Sequence, residues 1–86
     1  MRYIKSCGGT ILLNTDYISC WHIEYNPYAS IPQLGILADI PSWEIHVRLK
    51  GDEIKKILIK TLSGTKEIVP DLEEVVRDIM SGALEV

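Results

Sequence analysis

What this 86-residue sequence lacks narrows its function more than what it contains. No apolar run approaches the ~20 residues of a transmembrane helix. The opening residues, Met1-Arg2-Tyr3-Ile4-Lys5, lack the apolar stretch of a signal peptide. A cytoplasmic location without membrane contact is the expectation. Cysteine is nearly absent, and Cys7 and Cys20 alone are too few for the disulfide framework of a small secreted domain, which predicts free thiols in a reducing compartment. Nucleophile elbow, P-loop and GxGxxG patterns are missing, so Gly8-Gly9 reads as a turn only. No acid–base set with workable geometry can be assembled, and neither enzymatic activity nor a cofactor is expected.

What remains is an ordinary globular composition, 47% hydrophobic and 24% charged, in a single domain spanning 1–86. A chain this short buries only roughly 60–65% of its unfolded surface, so its stability margin is thin. The net charge of −3 is unevenly spread. Residues 48–66 hold six basic against two acidic side chains, and residues 67–86 hold one basic against six acidic. A basic hairpin and an acidic helix that offset one another fit this pattern.

Periodicity predicts an α+β fold: a mostly antiparallel β-meander sheet of five to six strands, with strands within 3–25 and 43–69, and one C-terminal α-helix packed on one face. Residues 3–6 and 10–13 read as strands joined by a Gly-Gly turn, because glycine accepts positive φ. Within 17–25, Tyr17, Trp21, Ile23 and Tyr25 share one face, taken as the inner one, and Ile18, Cys20, His22 and Glu24 the other. Residues 43–50 alternate strictly: Trp43, Ile45, Val47 and Leu49 inward; Glu44, His46, Arg48 and Lys50 outward. Gly51 turns the chain into a strand over 54–61, and a last short strand over 65–69 ends at Pro70. Asp71 to Glu74 reads as a capping box, with Asp71 accepting from the Glu74 N–H. Leu72, Val75, Val76, Ile79 and Met80 form one apolar stripe of a helix over 71–81, with Gly82 suited to its exit. The tail from Ala83 is expected to fray.

Gly9 followed by Leu13-Asn14, Asp16 and Ile18, then the alternating strand, Gly51 and Glu73-Glu74-Val75, together resemble small bacterial β-meander-plus-helix proteins, of which the flagellar FlbD family is the nearest named example. The likeness covers 3–25 and 43–80. That family joins its hairpins by a short connection and approaches the helix through a Val-Lys-Glu-Ser-like stretch, where this chain has Lys66-Glu67-Ile68-Val69-Pro70. The resemblance implies the fold more than a function.

Three sets of residues are candidates for chemistry. Cys20, His22 and Glu24 share a strand face, and with Cys7 and His46 they supply donor types that zinc accepts, but no C-x-x-C or H-x-x-x-H spacing pairs them, and no metal site is assigned. A Cys20–His22 nucleophile pair meets the objection that i and i+2 positions on a strand lie about 7 Å apart. The basic face of the hairpin, with His46, Arg48, Lys50, Lys56 and Lys60, is the alternative binding surface, for nucleic acid or an acidic partner. It lacks the aromatic platforms of single-strand binders.

The remaining feature is the stretch 26–42, NPYASIPQLGILADIPS, which carries three of the four prolines and one charge. Prolines 27, 32 and 41 are expected to exclude a continuous central strand or helix there, leaving at most a short edge strand. Its Ile and Leu content is not that of a linker. Long connections of this kind in compact domains are usually functional or structured. Three destinations suit its side chains: the chain's own core, a homodimer, or another protein. The reading is a small non-enzymatic interaction or accessory protein, with Ile31, Leu34, Ile36, Leu37 and Ile40 as the contact surface.

Overall fold

The computed structural model describes residues 1–31 and 36–85, the side chains of 28–31, 36–40 and Glu53 excepted. The described chain is α+β, and its six strands form two antiparallel sheets of three rather than the single sheet expected. Strand β1 (Arg2–Lys5) lies between β2 (Leu12–Asn14) and β6 (Leu84–Glu85). The second sheet is a meander of β3 (Ile18–Ile31), β4 (Ile36–Leu49) and β5 (Asp52–Ser63). A 3-10 turn, Thr15–Tyr17, separates the sheets, with Asn14 Oδ1 accepting from the Asp16 N–H. Helix α1 (Leu72–Ser81) follows the second sheet. Among the described residues no helix is long and apolar enough to cross a membrane.

The first hairpin forms as its glycines require. Gly8 and Gly9 take φ of +87° and +72°, a region that costs any other L-residue roughly 1–2 kcal/mol. The tail does not fray: Arg2 pairs with Glu85 and Tyr3 with Leu84, giving β1 its second partner. That strand is one reason the meander divides, because β1 spends both edges within its own sheet. Just past β1, the Cys7 N–H reaches β5 at the Leu58 carbonyl.

Strands β3 and β4 run far beyond the expected ends, and residues 26–31 and 36–42 pair as the distal part of a long hairpin rather than as an irregular insert. Pro27 and Pro41 are accommodated because they sit where pairing already breaks. The register steps from Asn26↔Ser42 to Ala29↔Ile40, leaving an extra residue on β3 opposite Pro41. Pro27 lies on an edge strand, and Pro41 accepts only through its carbonyl, from Gly64 N–H, on the β5 side. Prolines within sheets are confined to such edges and bulges. Pairing with β5 ends at Ser42↔Ser63, so beyond that point the hairpin continues as a two-stranded ribbon.

Two further register breaks decide which side chains face inward. An extra residue at Ser19 lets both Ile18 and Trp21 pack on the core, while Tyr17, expected inside, is 61% exposed. An extra residue at Ile59 puts Ile59 in the core and Lys60 opposite Ile45. The strand expected over 65–69 does not form. The Trp43 indole N–H takes the Thr65 carbonyl at 3.0 Å, and Ile68 and Val69 remain exposed.

The core sits where the two sheets and the helix meet. Ile4 and Leu13 come from the first sheet and Val47 and Ile59 from the second, flanked by Trp21, Leu49, Ile57, Ile79 and Met80. Ile45 and Val47 are fully buried. Helix α1 is capped by Asp71, whose carboxylate accepts from the Glu73 N–H at 3.0 Å rather than from Glu74. Gly82 has φ −89°, so its place at the helix exit does not depend on glycine. Although Ile79 and Met80 pack on the core, no residue of α1 is fully buried. Among the described residues no ion pair joins the acidic helix to the basic hairpin.

Candidate functional site

The outer face of the second sheet carries the densest group of polar side chains. Strand alternation brings Cys20, His22 and Glu24 of β3 to this face, and register places them opposite Arg48, His46 and Glu44 of β4. Lys56 of β5 joins them through its bond to Glu24.

Glu24 and Glu44 are directly opposed, a like-charge pairing that destabilises a sheet unless it is compensated. Lys56 Nζ donates to Glu24 Oε1 at 2.7 Å, and Asn26 Nδ2 donates to Glu44 Oε2 at 3.4 Å. Each carboxylate is thus held by one oxygen and turns the other toward His46. The imidazole Nε2 lies 3.3 Å from Glu44 Oε1 and 3.9 Å from Glu24 Oε2. A proton on Nε2 lets the ring donate to Glu44. Among the described residues, Nδ1 of the same ring is buried without a hydrogen-bond partner, as are Arg48 Nε and Ser42 Oγ. The hydrogen bond from Lys56 holds the Glu24 carboxyl below its ordinary pKa, against a smaller opposing effect of burial, with the charges of Lys56, His46 and His22 acting in the same direction as the bond.

Cys20 Sγ lies 3.3 Å from His22 Nε2, closer than the i, i+2 spacing led us to expect, because the imidazole spans the distance that the Cα atoms leave. Cys7 is exposed at the first hairpin turn, while Cys20 is half-buried; both are free thiols. Among the described residues this thiol–imidazole contact has no third group that would orient the ring as a base.

The basic surface is only partly assembled. His46, Arg48 and Lys56 lie on the outer face, where Glu24 and Glu44 interleave with them. Lys50 sits in the β4–β5 turn, its backbone N–H bonded to the Tyr17 carbonyl. The bulge at Ile59 takes Lys60 away from that face. With Lys5 it lines a cavity of about 290 Å³ walled by Ile4, Ile59 and Ile79.

Of the ribbon residues, Leu34 lies outside the described residues, and so do the side chains of Ile31, Ile36, Leu37 and Ile40. Their backbone is placed where described: Ile31 pairs with Ile36 and Ala29 with Ile40. Sequence reasoning set His46 beside Cys20, His22 and Glu24 as possible zinc donors, but did not bring Glu44 to Glu24. The signal was in the alternation; what was missing was the register. No family model, curated protein or solved structure matches this chain.

Proposed function

We propose that this chain is a small non-enzymatic interaction protein, that the ribbon 26–42 is its contact surface, and that a second copy of the chain is its first occupant. The observation that carries this reading is the overhang of β3 and β4 beyond the last pair with β5, Ser42↔Ser63. A two-stranded ribbon standing alone is at best marginally stable in water. This one nevertheless has an apolar sequence, with Ile31, Leu34, Ile36, Leu37 and Ile40 and the single charge of Asp39. Burial against another ribbon supplies what a third strand would have supplied.

The surface area points the same way. A compact monomer of 9.7 kDa exposes about 5,100 Å² by the usual scaling, whereas this chain exposes 6084 Å². The surplus is of the size that a modest interface covers on each partner.

Size-exclusion chromatography with light scattering tests the reading. The expected result is a dimer that becomes monomeric when Ile36→Asp and Leu37→Asp place a charge at adjacent ribbon positions. A wild-type monomer at every accessible concentration overturns the assignment of a second copy. The glutamates interleaved with His46, Arg48 and Lys56 weigh against the alternative of a phosphate-binding face, since two carboxylates offset the formal charges of Arg48 and Lys56 that counterion release requires.

A further inference from the structure

We propose that Glu24, Glu44 and His46 form a binding site for a divalent transition-metal ion, with zinc as the ion their donors suit. An imidazole nitrogen and carboxylate oxygens are both donors that zinc accepts, and three protein ligands leave a position for water or substrate. The three ligands lie outside the ribbon, which the site adjoins at Asn26, and neither reading depends on the other.

Geometry is the first support. In a tetrahedral zinc site with bonds near 2.0–2.2 Å, neighbouring ligand atoms lie about 3.3–3.6 Å apart. Here His46 Nε2 is 3.3 Å from Glu44 Oε1 and 3.9 Å from Glu24 Oε2, and all three donors lie within 4.8 Å of one another. Closing separations of up to 4.8 Å to that spacing takes side-chain rotations that move the carboxylate oxygens by about 1 Å.

The second support is the shell around the ligands. Lys56 and Asn26 each hold the outer oxygen of one carboxylate, so that the inner oxygens converge on the imidazole. Outer donors of this kind orient metal ligands and strengthen binding. All three ligands stand on paired strands β3 and β4, which fix them more closely than a loop would.

Charge is the third. Two opposed glutamates outnumber the one lysine bonded to them, and a cation between the carboxylates removes their repulsion. His22 is directly opposite His46 in register, the nearest further imidazole to the open position.

The test is isothermal titration of the full chain, freed of metal with a chelator and dialysed, with zinc chloride at pH 7. One ion per chain is expected. Glu44→Gln and His46→Gln should each weaken binding at least tenfold, while Lys56→Gln, which keeps a donor to Glu24 but removes a charge, should tighten it several-fold. Cys7→Ser and Cys20→Ser should leave the affinity unchanged. Absence of saturable binding by the wild type overturns the proposal. So does unchanged affinity in Glu44→Gln and His46→Gln, or loss of binding in either serine variant, which would move the ion to a thiol. Because His46 is half-buried and its variants risk misfolding, the wild-type ring resonances give an independent reading: His46 must shift on adding zinc, and a spectrum in which it does not move ends the idea.

Discussion

Trp43 does more than fill space. Its ring is buried and meets that of Tyr25 at a 53° tilt with centroids 5.2 Å apart, and its indole N–H holds the Thr65 carbonyl, so one side chain ties β3 and β4 to the segment leading into the helix. Trp43→Phe keeps most of the packing and loses the bond, and should cost about 1–2 kcal/mol in urea denaturation. Trp43→Ala should cost about 3–5 kcal/mol. Glu24 makes a smaller, pH-dependent contribution. Its folded pKa lies below the ordinary 4.5, so the stabilisation it brings is complete above that value and is lost as pH falls through the lowered one. With 43% of its side chain exposed, the pair with Lys56 is worth only about 0.2–1 kcal/mol. In a chelator-treated sample, Glu24→Gln should lower stability at neutral pH by that amount and leave it unchanged at pH values below the lowered pKa, which flattens the acid limb of the profile. At this scale the inward residues Trp43, Ile45 and Val47 were legible from alternation alone. The cluster of Glu24, Glu44 and His46 was not, because its members come from strands whose pairing the alternation does not specify.

Elements were read more accurately in their interiors than at their ends. The helix was placed within a residue, since an Asp cap and an apolar stripe are local signals, and Asp71→Ala should remove about 1 kcal/mol by thermal melting. The glycines separate by backbone angle. Gly9→Ala forces a side chain into φ +72° and should destabilise by about 1–2 kcal/mol, whereas Gly82→Ala, at φ −89° with a new Cβ no nearer than 3.7 Å to its closest neighbour, should be neutral or slightly stabilising. What misled was proline. Pro27 and Pro41 argue against a strand only where every N–H is needed, and here the register break between Asn26 and Ala29 removes that need. Bulges at Ser19 and Ile59 were invisible for a related reason: each inserts one residue into an otherwise even pattern and exchanges the faces on either side, as the placements of Ile18 and Lys60 record.

For the whole molecule, the class α+β and the helix packed against the core followed from the sequence, while the division into two sheets did not. It depends on a pairing between Arg2 and Glu85, which no local signal announces. The radius of gyration, 13.5 Å, exceeds the roughly 12 Å of a compact domain of this length, in keeping with the overhanging ribbon. If the ribbon is buried against a second copy, the melting temperature should rise with protein concentration by mass action, and Ile36→Asp should abolish that dependence. The two-residue strand β6 has a kinetic consequence as well. Joining the second residue to the eighty-fifth closes nearly the longest loop this chain can make, for very few hydrogen bonds, so that contact should be the last to form during refolding and the first to open in native-state hydrogen exchange.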